Sequence, residues 1–374
     1  MTPIPLIDLA AQQARLKPAI DANIARVLAH GQYIQGPEVA AFEAKLAAFA
    51  GCRHAVSCGN GTDALTMALM AVEVGPGAAV FLPSFTFTAT AEVVALLGAR
   101  PVFVDVDPDD FTIDPADLER QVAAVKREGR ETPTAVIAVD LFGQPAAYAA
   151  LHETAQRHGM WVLGDAAQSF GGAQNGVRVG ALARMTALSF FPSKPLACYG
   201  DGGAVLTDDD SLAQVLRSIG AHGRGPAKYD IVRIGLNSRL DTLQAAILLA
   251  KIEAFEGELA ARARIAEQYD RRLGNLVRTP VIRPGNRSAW AHYCIRVPDR
   301  DRVAAHLSAQ KIANAVYYPR PVHLQSAYAR YGNGEKSLPA SEALCGEILA
   351  LPLYPDLDAD AVDRVCDAIA AALG

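Results

Sequence analysis

Apolar and polar positions follow one rhythm over the first two thirds of the chain and a different one over the last third. Short uninterrupted apolar runs predict strands at residues 55–58, 79–82, 101–104, 135–139, 161–163, 187–191 and 204–206. Between them, apolar residues recurring every three to four positions predict helices after Thr62 and over 89–97, 115–125 and 147–158. Strand and helix in turn, with strands apolar on both faces, predict a mostly parallel sheet covered by helices on both sides. Two helices precede this region, over 16–30 and 37–49, each closed by a glycine (Gly31 and Gly51) and separated by a turn at 32–37. A loop at 222–228 ends the alternation, and a long helical stretch follows from 239 to 273. Strand-like runs at 293–297 and 315–318 and a closing amphipathic helix at 359–373 then suggest a smaller α+β unit. The expected division is a large domain over 1–250 and a small C-terminal domain over 251–374.

With 374 residues and 39.6 kDa, the chain exceeds what one core usually serves. A formal charge of −5 without long runs of one sign gives no footprint for nucleic acid or an anionic membrane, so small ligands are expected. The start, Met1-Thr-Pro-Ile-Pro, has no leader pattern, and no apolar run is long enough to span a bilayer, which predicts a cytoplasmic protein. The six cysteines show no zinc-ligand spacing and read as reduced, mainly buried hydrophobes, so no metal is expected.

The candidate chemistry gathers at predicted strand ends, where ligands of such sheets bind. In Thr186-Ala-Leu-Ser-Phe-Phe-Pro-Ser-Lys194-Pro, a lysine stands between Pro192 and Pro195 beside a Gly-rich segment. No helix can carry it into solvent, and a partly desolvated lysine offers a neutral amine for Schiff-base chemistry. In Ser57-Cys-Gly-Asn-Gly-Thr-Asp-Ala-Leu65, a glycine turn opens a helix, placing Gly61 and Thr62 where backbone N–H groups favour a phosphate. Asp165 closes an apolar strand with Gln168 three residues on, and such a carboxylate can keep a ring nitrogen protonated. Phe87 follows another strand and is suited to stack on a flat ring. Taken singly, these strings also fit a strand-end lysine, a threonine cap, a turn aspartate and a core aromatic. Their occurrence in order at successive strand ends favours one cofactor site.

The same strings carry a resemblance. Gly31-Gln-Tyr-Ile-Gln-Gly-Pro-Glu38, Gly59-Asn-Gly-Thr-Asp-Ala-Leu65, Gly164-Asp-Ala-Ala-Gln-Ser-Phe-Gly171, Ser189-Phe-Phe-Pro-Ser-Lys194 and Gly235-Leu-Asn-Ser-Arg-Leu-Asp241 make the chain similar, almost end to end, to the DegT/StrS-type nucleotide-sugar aminotransferases. That family implies the aspartate aminotransferase fold, or fold-type I, with pyridoxal 5'-phosphate as cofactor. It implies that Lys194 carries the Schiff base and shuttles a proton, Asp165 pairs with the ring nitrogen, Gln168 contacts the ring's oxygen face, and Phe87 stacks on the ring. Gly61, Thr62 and Ser189 would hold the phosphate, helped by Asn237 from the second subunit of a homodimer. Within the family, the segments 194–203 and 237–244 most resemble bacterial enzymes that aminate C3 of a UDP-2-acetamido-2-deoxy-3-keto-hexuronate for surface polysaccharide. There the arginine matching Arg239 and a His-Tyr pair lie near the substrate, but this chain has Tyr317-Tyr318. Losing that histidine removes a group able to carry positive charge near neutral pH, and leaves a neutral 3-keto or 4-keto deoxysugar open as substrate.

The expected activity is therefore transfer of an amino group from an amino-acid donor, L-glutamate, to a keto sugar nucleotide. Two rivals stand beside it: a sugar dehydratase using the same cofactor, which the lysine disfavours because such relatives carry histidine there, and a cofactor-binding regulator without turnover. No basic helix-turn-helix segment supports the regulator as a nucleic-acid binder.

Overall fold

The computed structural model describes residues 2–227 and 229–374; Met1 and Lys228, the last residue of the predicted 222–228 loop, lie outside them. Two helices lead, α1 (Leu9–His30) and α2 (Pro37–Ala50). They are followed by β1 (His54–Cys58), α3 (Gly61–Ala71), β2 (Ala78–Pro83), α4 (Ala89–Leu96), β3 (Arg100–Val104), α5 (Pro115–Glu128), β4 (Thr132–Val139), α6 (Tyr148–His158) and β5 (Trp161–Asp165). The short strands β6 (Ala173–Gln174) and β7 (Val177–Arg178) precede β8 (Met185–Ser189), β9 (Gly203–Thr207), α7 (Asp210–Gly220) and the long α8 (Thr242–Leu273). The C-terminal part holds β10 (Asn286–Arg287), β11 (Tyr293–Arg296), α9 (Arg300–Ala309), α10 (Pro339–Glu347), β12 (Ile348–Leu351) and α11 (Ala359–Leu373).

Among the described residues the main sheet runs β1-β9-β8-β5-β4-β2-β3, parallel except for β9, which is antiparallel to both neighbours. The uninterrupted apolar runs arise because alternate residues of each strand feed different cores. Val80, Leu82, Ala135 and Ile137 join α3 and α4 on one face, while Ala79, Phe81, Val136 and Ala138 join α5 and α6 on the other. This is the fold-type I architecture expected. It aligns the ends of β1, β2, β4, β5 and β8 along one edge.

The expected division at 250 falls inside α8, which is continuous from Thr242 to Leu273. Its first half packs Ala245, Leu248, Phe255 and Leu259 with α2 and β9, and its second half packs Ile265, Tyr269 and Leu273 with β11, β12 and α11.

Several expected elements differ from those observed. Residues 315–318 form no strand: Ala315 makes a single bridge to Ala350, and Pro319 and Pro321 follow with no N–H to extend a ladder. The partner of β11 is β12 instead, pairing Tyr293 with Leu351. That strand abuts α10 with no turn residue between them, and neither element was expected. Helix α1 begins seven residues before the predicted start, because Asp8 accepts a hydrogen bond from Ala11 N at 3.0 Å and caps it there. Helix α7, whose Leu212, Leu216 and Ile219 share a buried face, was passed over.

Candidate active site

A cavity of about 480 Å³ opens at the shared strand-end edge, within the size range of small-ligand sites. One wall is the start of α3. Asn60 caps the helix by accepting from Asp63 N at 2.8 Å, leaving the earlier N–H groups of Gly61 and Thr62 at the positive end of the helix dipole. A side chain at 61 would put its Cβ 2.7 Å from Ser189 Cβ, so glycine is what lets β8 and α3 meet here. Gly61, Thr62 and Ser189 all line the cavity.

The floor is Asp165, buried at the end of β5. It accepts from Thr90 Oγ1 at 3.0 Å and from Ala167 N at 3.3 Å. Burial raises its carboxyl above the ordinary value, and these two donors and Lys194 pull it back. Lys194 lies in the loop after β8, which ends at Ser189; Phe190 and Phe191, expected to finish the strand, belong to that loop. The loop is clasped by Lys194 N donating to Phe191 O and Cys198 N donating to Phe190 O, both at 2.8 Å. Desolvation lowers the Lys194 amine, and Asp165 opposes the shift. A buried carboxylate and a desolvated amine thus face one space.

Gln168 is oriented by Phe142 N, which donates to its Oε1 at 2.7 Å; its Nε2 approaches Tyr318 OH at 3.5 Å. Phe87 is 56% exposed in the single chain and lines the cavity beside Tyr318, their ring centroids 6.2 Å apart. Tyr317 and Tyr318 come from the C-terminal part of the chain, and burial raises both phenols.

Nine expected residues therefore meet: Gly61, Thr62, Phe87, Asp165, Gln168, Ser189, Lys194, Tyr317 and Tyr318. Two do not. Asn237 is exposed and Arg239 lines a separate cavity with Glu43 and Arg217; the Arg239 guanidinium donates to Asn237 Oδ1. Within one chain neither reaches Lys194. Among the other lining residues, three that bear on the chemistry were missed. Thr90 lies three residues after Phe87, whose ring drew attention away from the hydroxyls beside it. Asp140 ends the apolar run of β4 as Asp165 ends β5, a parallel that could have flagged it. It is fully buried, accepts from Ser169 Oγ and Ala146 N at 2.8 Å each, and burial pushes its carboxyl up to about 7. His292, just before β11, carries no sequence signal of a site.

The arrangement fits pyridoxal phosphate: an anion-binding helix start, a buried carboxylate on the floor, a desolvated lysine, and an aromatic at the mouth. Among the described residues no cluster suited to a metal ion occurs, and no helix is long and apolar enough to cross a membrane.

Comparison with known proteins agrees. A UDP-2-acetamido-2-deoxy-3-oxo-D-glucuronate aminotransferase of Pseudomonas aeruginosa is 46% identical over 98% of this chain and 99% of its own. A pleiotropic regulatory protein of Geobacillus stearothermophilus is 43% identical, with 98% of each chain covered. A UDP-N-acetyl-3-dehydro-alpha-D-glucosamine 3-aminotransferase of Acidithiobacillus ferrooxidans is 38% identical over 98% of this chain and 97% of its own. The crystal structure of an aminotransferase from Brucella abortus superposes with a TM-score of 0.97 at 50% identity, covering 99% of this chain and 100% of that one. NtdA from Bacillus subtilis, with bound cofactor PMP, superposes with a TM-score of 0.89 at 27% identity, covering 100% of this chain and 86% of that one. Residues 15–370 match one family along nearly the whole length, and the chain belongs to the DegT/DnrJ/EryC1/StrS aminotransferase family.

Proposed function

We propose that this chain is a pyridoxal-phosphate-dependent aminotransferase that moves an amino group from L-glutamate to the C3 keto group of a UDP-2-acetamido-2-deoxy-3-keto-hexuronate or a close relative of it, for bacterial surface polysaccharide. The observation that carries the reading is that Lys194 and Asp165 face one cavity whose third wall is the start of α3. The likeness to the P. aeruginosa enzyme supports the substrate class.

When bound, pyridoxal phosphate supplies an electron sink through which an amino group leaves one carbon and is later given to another. The protein supplies the rest. The N–H groups of Gly61 and Thr62, with the Ser189 hydroxyl, would bind the phosphate. Asp165 would pair with the protonated ring nitrogen, a role for which Thr90 and Ala167 hold it ionised. Gln168, fixed by Phe142 N, would contact the oxygen face of the ring. Phe87 would lie against the ring. The Lys194 amine, its basicity reduced by burial, would take up and return the proton of the donor carbon.

Tyr317 and Tyr318 face the sugar. Asn237 and Arg239 enter from a second subunit; the exposed apolar stretch of Ile231, Val232 and Ile234 just before them supports a homodimer that buries it. The described cysteines are all unpaired, in keeping with a cytoplasmic setting. The chain divides within α8, near residue 250, into a large cofactor domain and a small C-terminal one.

The test is product analysis with glutamate and a 3-keto sugar nucleotide. An aminated sugar and 2-oxoglutarate support the reading. Loss of water from the sugar favours the dehydratase, and no turnover with firmly bound cofactor favours the regulator.

A further inference from the structure

His292 lines the cavity, 9% exposed, with its ring centroid 4.6 Å from that of Tyr317 and 6.1 Å from that of Phe142. Its place is fixed by backbone. His292 N donates to Phe142 O at 3.3 Å and Ala289 N donates to Gly143 O at 2.9 Å. Arg262 of α8 donates to Trp290 O at 3.1 Å. Gly143, at φ +117°, permits this clasp, since a Cβ there would stand 2.6 Å from Trp290 N. No hydrogen bond to another described residue engages the imidazole nitrogens, so they are available to whatever fills the cavity.

Burial holds the imidazole unprotonated, down to about 3, and Lys194 from the loop after β8 and Arg262 from α8 add to that effect. Tyr317, Tyr318 and the buried Cys294 thiol of β11 stay neutral because burial raises all three. The carboxyls of Asp165, Asp140 and Asp201 also line the cavity, and Asp165 is offset by Lys194. A carboxylate placed directly beside His292 would oppose the burial and the cations that keep its ring neutral.

We propose that His292, packed against Tyr317, is the specificity residue for the sugar: it takes a proton from solvent when a sugar nucleotide bearing a carboxylate enters, and so favours a hexuronate over the neutral sugar. The proton comes from the buffer, forms an N–H bond on the ring, and leaves again with the sugar. This rests on the reading above that a keto sugar nucleotide is the amino acceptor.

The test uses the cofactor-loaded protein and two stable analogues, UDP-2-acetamido-2-deoxy-glucuronate and UDP-N-acetylglucosamine. Each is titrated calorimetrically at about pH 5.5 in two buffers of different ionisation enthalpy. An added carboxylate raises a buried histidine by about 1–3 pH units, so the expected result is uptake of a measurable fraction of a proton with the uronate and none with the neutral sugar, and a preference for the uronate of about threefold. In His292→Gln both the proton uptake and the preference should vanish. No proton uptake in the unaltered protein, or a preference unchanged by His292→Gln, overturns the proposal; the first result needs no variant to fold. The absorbance change with glutamate is recorded on the same preparations. Its absence means that the aminotransferase reading has failed, whereas its presence with a negative calorimetric result means that only the role of His292 has.

Discussion

Thr90 Oγ1 donates to Asp165 Oδ2 at 3.0 Å with both side chains buried, which joins the first turn of α4 to the end of β5 beneath the cavity. Removing that donor leaves a buried carboxylate short of one partner, at a cost of about 1–3 kcal/mol. Thr90→Val should therefore weaken pyridoxal phosphate binding by about tenfold or more, and Thr90→Ser should restore most of it. Absorbance titration of the cofactor-free protein checks both; equal affinity in all three forms would show that the bond does not support the cofactor.

Lys194→Ala should abolish covalent attachment of the cofactor and lower turnover by at least about 10²–10⁴, the range supplied by a positioned proton-transfer group. The melting temperature should not fall, because the variant removes an amine that burial already disfavours. Residual turnover near the unaltered rate contradicts the role given to this lysine.

Asp140 gives a pH signature. Burial lifts its folded value to about 7, far above that of an unfolded aspartate, so between about pH 4 and pH 7 the folded state holds a proton that the unfolded state has lost. Its contribution to stability is fully present below about pH 4 and is lost as pH rises through 7. Asp140→Asn keeps an oxygen for Ala146 N and an amide for Ser169, and has no charge to bury. The variant should gain on the unaltered protein by a few kcal/mol between about pH 5 and pH 8, measured by denaturant unfolding at each pH. A constant difference across that range contradicts the assignment.

The proposed sharing of the active site between two subunits makes a prediction about mixtures. Lys194→Ala and Asn237→Ala subunits should each be impaired alone. Mixed and allowed to exchange, half of the dimers become heterodimers with one intact site, so about a quarter of the sites should recover. No recovery, with exchange shown by mass spectrometry, means that Asn237 does not act across the subunit boundary.

The large sheet was legible because its strands feed two cores and therefore read as plain apolar runs, and the candidate site was legible because Gly61, Asp165 and Lys194 lie at or shortly after strand ends in strings of unusual composition. The C-terminal part was harder to read. Its strand β12 follows α10 without punctuation, and Tyr317 and Tyr318 reach the cavity from a segment broken by Pro319 and Pro321. His292 was invisible because its importance comes from the packing of Phe142, Tyr317 and Arg262, which lie far from it in sequence.

The most direct measurement is the absorbance spectrum of the purified, cofactor-loaded protein before and after glutamate, and then after each of a panel of UDP- and dTDP-keto sugars. The account predicts a band from cofactor joined to Lys194 that disappears with glutamate and returns with a 3-keto sugar nucleotide. A protein that takes up no chromophore from added pyridoxal phosphate, or whose band is indifferent to glutamate, would contradict it.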